Sequence, residues 1–314
     1  MTKPPQIVAM GGGGFLMEPE NLLLDRFILS TSAASHPKVC FVGTASGDAA
    51  SFSDRFYAAF RTLACVPAEL SLFKPPTADL RSFVFEQDVI YVGGGNTRAL
   101  LAVWREWGLD SILREAWLSG IVMAGISAGS ICWFQQGLSD SVIPGDLAPL
   151  ACLGFLPGSN CPHYDGEPER RPAYHRFIKE GKLSAGYATD DSAALHFIGQ
   201  HLKGVVSSRE SARAYSVRLV ESELEEVALD TVWLGSVARD AISTGIPSTI
   251  GYTRPHPAQA SLPASSRNSP RQTGQASWPS TVASNEIDGM GLAGIREARY
   301  CTVASGLAAE ESAP

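Results

Sequence analysis

Long apolar runs and basic clusters are both missing from this sequence of 314 residues. No segment offers the ~20 consecutive apolar residues that a membrane-spanning helix needs. The N-terminus also lacks the apolar core and cleavage site of a signal peptide. With 25 Lys and Arg against 32 Asp and Glu, the net charge of −7 gives no electrostatic reason to expect a nucleic acid partner. We therefore expect a cytoplasmic protein that binds neither nucleic acid nor membrane.

Cysteine is scarce and scattered, and no Cys-x-x-Cys pair occurs. Without an export signal, the six cysteines are expected to be reduced and mostly buried. No group of His, Cys, Asp and Glu has the spacing of a metal site, since the pair His163 and Asp165 alone is too small. The sequence therefore predicts no metal and no organic cofactor. The cysteines are Cys40, Cys65, Cys132, Cys152, Cys161 and Cys301.

What the sequence does contain is an alternation of short apolar segments with segments of helical periodicity. Near-continuous apolar strands between helices are typical of a parallel sheet covered on both faces, so an α/β fold is expected. The strands are predicted at 6–10, 38–43, 68–73, 89–92 and 121–125. The helices are predicted at 21–30, 53–63, 97–107 and 110–119, and another is expected to start at 130–134.

The composition changes near residue 235. Residues 236–314 are rich in Ser, Pro, Ala, Thr and Gly and have no sustained apolar period, so they cannot bury enough apolar surface to offset chain ordering. We predict one folded domain over residues 1–235 and a disordered tail over 236–314.

The motif Gly125-Ile126-Ser127-Ala128-Gly129 lies between a predicted strand and a predicted helix. A sharp turn at this place exposes a serine hydroxyl, and the flanking glycines prevent clashes. Ser127 is therefore the candidate nucleophile, and the backbone N–H of Ala128 is a candidate oxyanion donor. The alternative is a tight packing turn in which Ser127 only caps the helix.

A second glycine-rich turn, Gly93-Gly94-Gly95-Asn96-Thr97, follows the strand at 89–92. Ligands of parallel sheets bind beyond the carboxyl ends of the strands, where both turns fall. Gly95 is assigned as the second oxyanion donor, with Gly94 as its close alternative, and Gly94 and Asn96 are assigned to substrate binding. A plain loop before a helix would have the same sequence.

His163 is the best-placed candidate base among six histidines, because it ends an extended run and follows Pro162. His175 is the second candidate, and a surface histidine capped by Asp165 is the alternative explanation. Asp140, which follows the predicted helix after the elbow, is the candidate acid. The other carboxylates left open for that role are Asp165, Glu167, Asp190 and Asp191.

Taken together, the Gly93–Thr97 turn, the Ser127 elbow and Pro162-His163 resemble the peptidase E (aspartyl dipeptidase) family, serine peptidase family S51, over roughly residues 6–235. The resemblance implies a three-layer α/β sandwich with a mostly parallel sheet, class I glutamine amidotransferase-like and flavodoxin-like. It also implies Ser127 as nucleophile, His163 as base, and Gly95 with Ala128 as oxyanion hole. Asp140 matches the family's aspartate after the elbow, although some members use a glutamate.

The activity implied by the resemblance is hydrolysis of small peptides, in particular removal of an N-terminal aspartate from dipeptides. Arg170 and Arg171 follow His163 closely and are predicted to bind the acidic side chain. Four alternatives stay open: a glutaminase, which would be expected to have cysteine at the elbow, an α/β-hydrolase esterase, a cyanophycinase-like hydrolase, and an inactive ligand-binding relative. A homodimer is also left open.

Overall fold

Two β-sheets contain all fourteen strands of the part of the chain that the computed structural model describes, residues 3–143 and 145–236. The strands are β1 (Gln6–Met10), β2 (Lys38–Val42), β3 (Val66–Leu70), β4 (Val89–Val92), β5 (Val122–Ile126), β6 (Phe134–Ile143), β7 (Asp146–Ala151), β8 (Leu156–Cys161), β9 (Gly186–Thr189), β10 (Ala193–Ile198), β11 (His201–Ser207), β12 (Ala214–Val220), β13 (Glu223–Ala228) and β14 (Thr231–Trp233).

Eight α-helices connect these strands within the described residues, together with a 3-10 turn at Thr44–Ser46. The helices are α1 (Gly14–Met17), α2 (Leu23–Thr31), α3 (Ala50–Phe60), α4 (Leu80–Phe85), α5 (Thr97–Trp107), α6 (Leu109–Leu118), α7 (Ala128–Ile131) and α8 (Arg170–Lys179). None of the helices in this part of the chain is long and apolar enough to cross a membrane.

The first sheet has the strand order β14-β11-β10-β1-β5-β4-β2-β3. The strands from β1 to β3 in that order are all parallel, while β10 runs antiparallel to β1. The carboxyl ends of β1, β5 and β4 therefore lie side by side. The loops that follow these three strands are the glycine segment at 11–14, the Ser127 turn and the glycine segment at 93–96.

Alternating side chains of the first sheet enter two separate apolar clusters. Val8, Phe41 and Tyr91 point to the face covered by α1, α2 and α3, where they meet aromatic residues of these helices. Ile7 and Ile90 point to the other face, where α4, α5 and α6 pack. Burial of both faces explains why these strands are almost uniformly apolar.

The second sheet has the order β13-β12-β9-β8-β6-β7 and mixes parallel and antiparallel pairs. One face contributes Phe134 and Leu156 to the cluster beneath α5 and α6. The other face is covered by α8, whose Tyr174 and Phe177 form a third apolar cluster with Leu138.

The helix-flanked, mostly parallel first sheet confirms the predicted α/β sandwich. The helix predicted from residue 130 is wrong beyond Cys132, because α7 has four residues and the chain enters β6 at Phe134. For the same reason Asp140 lies on a strand and not in a loop after a helix. The tail predicted for 236–314, apart from Ser236, lies outside the described residues.

Candidate active site

Ser127 lies at the sharp turn between β5 and α7, with a positive φ of 56°. A Cβ atom at Gly125 would overlap the Gly129 carbonyl, and one at Gly129 would overlap the Val92 carbonyl. The two glycines thus allow β5, α7 and the neighbouring strand β4 to approach each other with their backbones in direct contact. This is the geometry expected of a nucleophile elbow.

The side chain of Ser127 is partly exposed beyond the end of the sheet. Its hydroxyl makes no hydrogen bond to any residue in the ranges 3–143 and 145–236, so it is free to meet a substrate. Gly94 borders it directly, since a Cβ atom at Gly94 would lie 3.3 Å from the Ser127 Cβ. The two predicted turns are therefore neighbours in the structure.

Three backbone N–H groups of the two turns have no backbone acceptor in the described part of the chain: those of Gly94, Gly95 and Ala128. Gly94 and Gly95 come from the loop after β4, and Ala128 begins α7. The neighbouring Asn96 is the N-cap of α5, because its side chain accepts a hydrogen bond from the Ala99 N–H at 2.8 Å.

His163 follows β8 and forms a hydrogen bond with Asp191, which follows β9. The bond joins Nδ1 of His163 to Oδ1 of Asp191 at 2.6 Å, with only 12% of the histidine side chain exposed. A carboxylate accepts, so Nδ1 carries the hydrogen and Nε2 is the nitrogen that can accept a proton. The backbone of His163 also has a positive φ, 54°.

The carboxylate of Asp191 occupies space that two glycines leave open. A Cβ atom at either Gly12 or Gly166 would overlap its oxygen atoms. The backbone N–H of Asp191 donates to Asp165 at 2.8 Å, and Arg209 bridges the Asp165 carboxylate and the Asp191 carbonyl. The acid is therefore held on both its side chain and its backbone.

Ser127 and the His163–Asp191 pair border the same short segment, Met10–Gly12. The Ser127 N–H donates to the Met10 carbonyl at 3.3 Å, while Gly12 touches the Asp191 carboxylate. Two residues of chain span at most about 7.6 Å between Cα atoms, so the serine and the acid–histidine pair both lie near the carboxyl end of β1.

The structure gives His163 a carboxylate partner other than the predicted acid, Asp140. Asp140 is exposed on β6, and the Nδ1 atom of His163 that it would have to contact is bound to Asp191. Of the carboxylates left open, Asp165 supports Asp191, and Glu167 pairs with Arg170. Asp190 is buried and accepts the Arg213 N–H, and this burial raises its pKa to about 6.

The predicted arginine pair is also corrected in part. Arg170 is 3% exposed, and its guanidinium binds Glu167 and the Leu138 carbonyl, so it faces the interior of the second sheet. Arg171 remains partly exposed, stacked over Tyr164 and Tyr215. Of these two arginines, Arg171 is therefore the one whose side chain is accessible from solvent.

The sequence did not predict the hydrogen bonds that hold Tyr164, the residue after His163. The Tyr164 hydroxyl lies 2.5 Å from a Glu226 oxygen and 2.9 Å from His175 Nε2, and Arg171 pairs with the other Glu226 oxygen at 3.3 Å. His175, the second candidate base, is thus engaged in this cluster. Glu226 comes from β13, far along the sequence, and no local pattern signals the contact.

The profile of Peptidase family S51 matches residues 7–205, which contain Ser127, His163 and Asp191. The chain belongs to peptidase family S51. A Bacillus subtilis (strain 168) relative, named Uncharacterized peptidase YgaJ, is 61% identical over 230 residues, which are 73% of this chain and 99% of the relative.

A solved structure supports the same fold for this S51 peptidase. The crystal structure of a peptidase from an acI-B1 Actinobacterium superposes with a TM-score of 0.56 at 16% identity. The superposition covers 72% of this chain and 97% of that chain. With the family established, the protein is a serine-type peptidase, and the predicted hydrolase class is confirmed.

Proposed function

We propose that this S51 peptidase hydrolyses short peptides through a triad of Ser127, His163 and Asp191. The observation that carries the proposal is the 2.6 Å bond from His163 to Asp191, a partly buried acid beside the loop that borders Ser127. His163 Nε2 takes the Ser127 proton as Oγ attacks the peptide carbonyl, then returns it to the leaving amine. Water, activated by the same nitrogen, hydrolyses the acyl-enzyme.

The oxyanion of the tetrahedral intermediate is proposed to bind the N–H groups of Gly95 and Ala128, with Gly94 as the alternative to Gly95. The proposal is supported by the lack of a backbone acceptor for these N–H groups among the described residues, and by the position of Gly94 beside the Ser127 side chain. Donors fixed by the backbone before the reaction need no reorganisation when the negative charge develops. Asp191 holds the histidine tautomer that makes Nε2 the acceptor.

The triad is tested with matched carboxylate variants. Asp191→Asn should lower kcat on the order of 10³–10⁴-fold, because the amide favours the wrong histidine tautomer. Asp140→Asn, at an exposed position of β6, should leave kcat unchanged. The assay is turnover of a dipeptide library, with Ser127→Ala and labelling by a fluorophosphonate probe as references. Equal activity of the two Asn variants would refute Asp191 as the acid.

The finer part of the proposal is a preference for an N-terminal aspartate, with Arg171 as the cation that binds its carboxylate. Arg171 is stacked over Tyr164, the residue next to His163, and 43% of its side chain is exposed. Arg176, exposed on the same helix, is the matched control.

Substitution of each of these two arginines by glutamine distinguishes a loss of specificity for aspartate from a loss of activity on all dipeptides. Arg171→Gln should lower kcat/KM for Asp-Leu about tenfold more than for Ala-Leu, because only the first substrate loses an ion pair. Arg176→Gln should change neither substrate. An equal loss on both dipeptides in Arg171→Gln would remove Arg171 from the specificity site.

A further inference from the structure

Two buried polar side chains connect the nucleophile elbow to the second sheet. The Ser130 hydroxyl donates to Asn160 Oδ1 at 3.1 Å, and both residues are fully buried. Ser130 belongs to α7, and its backbone N–H donates to the Ser127 carbonyl at 2.9 Å. Asn160 belongs to β8, three residues before His163. The elbow and the strand that leads to the histidine are thus directly bonded.

The other end of the Asn160 amide reaches the strand that leads to the acid. Asn160 Nδ2 donates to the Tyr187 carbonyl at 3.4 Å, and Tyr187 lies on β9, four residues before Asp191. A carbonyl can only accept, so Nδ2 must face Tyr187 and Oδ1 must face Ser130. The orientation of the amide is thereby fixed, and the Ser130 hydroxyl must be the donor.

We infer that Asn160 is a positioning residue, which sets the separation of Ser127, His163 and Asp191 through its bonds to Ser130 and Tyr187. This inference rests on the proposed triad. From β8, which leads to His163, this one side chain bonds to the two other elements that lead to the triad, α7 of the elbow and β9. Buried polar groups that are hydrogen-bonded resist rearrangement of the elements they join, because breaking the bonds leaves those groups buried and unpaired.

Ser130→Ala is the first test, since it removes one oxygen atom and leaves the backbone unchanged. The expected result is a fall in kcat of about tenfold or more with KM nearly unchanged, because small misplacements of reacting groups are costly for the chemical step. The rate of Ser127 labelling by a fluorophosphonate probe should fall by a similar factor. The substrate is the dipeptide that the wild-type enzyme hydrolyses fastest.

Asn160→Ala and the double variant test whether the two residues act together. Asn160→Ala should lower kcat at least as much as Ser130→Ala, because it also releases Tyr187. Adding Ser130→Ala to Asn160→Ala should change kcat by less than about twofold, since the bond is already lost. Independent, multiplied losses would overturn the inference.

Ser159→Ala is the matched control on the same strand. The Ser159 hydroxyl is also buried, but it bonds Tyr174 of α8 at 2.7 Å and the Ser184 carbonyl at 2.6 Å. Neither partner belongs to α7 or β9, the elements that Asn160 joins. This variant should melt at a lower temperature than the wild type and keep its kcat. An equal loss of kcat in Ser159→Ala would mean that general loosening of the sheet explains the effect.

The outcomes separate this inference from the proposed function. If Ser127→Ala is inactive and Ser130→Ala keeps the wild-type kcat, the triad stands and the role of Asn160 is wrong. If Ser127→Ala keeps its turnover, the proposed nucleophile itself is wrong. If Asn160→Ala fails to fold, the comparison of kcat between Ser130→Ala and Ser159→Ala alone tests the positioning role of Asn160.

Discussion

At the scale of single residues, Asp25 is a carboxyl group in an apolar environment. It is fully buried on α2 beneath the glycine segment at 11–14, close to Tyr91 and Gly14. Burial raises its pKa from 3.8 to about 7, and the nearby Glu18 raises it further. Neither of its carboxyl oxygens has a hydrogen-bond partner among the described residues. The folded protein therefore keeps Asp25 protonated at a pH where the unfolded chain ionises it.

The raised pKa makes stability fall as the pH increases. The unfolded state loses this proton near pH 4 and the folded state near pH 7. The free energy of unfolding should decline between these values by up to about 1.4 kcal/mol per pH unit and level off above pH 7.

Asp25→Asn should remove that decline, so its stability relative to the wild type should improve between pH 5 and pH 7. Urea unfolding at both pH values measures this difference. The control is Asp54→Asn, on the exposed side of α3. A difference between Asp25→Asn and wild type that stays constant with pH would contradict the prediction.

At the scale of elements, α5 begins at the loop that supplies the proposed oxyanion donors. Its N-cap is Asn96, whose Oδ1 accepts the Ala99 N–H. Asn96→Ala should lower the free energy of unfolding by about 1 kcal/mol, whereas Asn96→Asp keeps the cap and should be nearly neutral.

Dipeptide kinetics on the same two variants test the substrate-binding role predicted for Asn96. With capping as its function, Asn96→Asp should retain the wild-type KM. A raised KM for Asn96→Asp at unchanged stability would instead assign the side chain to substrate binding.

The five parallel strands of the first sheet could be predicted from the sequence, because most of them are buried on both faces and therefore apolar, as in β4. The second sheet could not, because strands such as β6 and β13 are partly exposed and rich in polar residues, and they pair through contacts distant in sequence. This is why Asp140 was expected in a loop. The elbow and His163 were recognisable locally, but only the pairing of β8 with β9 brings Asp191 to the histidine.

At the scale of the whole molecule, the described residues up to 236 hold all three apolar clusters and the entire proposed triad. The family profile ends at residue 205. A chain shortened to residues 1–236 should therefore keep the melting temperature and dipeptide turnover of the full chain. Thermal melting and kinetics of both forms check this, and a large loss in the shorter form would show that residues 237–314 contribute to folding or to the site.

The proposed triad is divided between the two sheets. Ser127 extends from β5 of the first sheet, His163 from β8 of the second, and Asp191 from the connection between β9 and β10, which passes from the second sheet to the first. Activity then depends on how well the two sheets, each with its own strand pairing, keep their alignment. On heating, the enzyme should become inactive before either layer melts, so that its thermal inactivation midpoint falls below its calorimetric one.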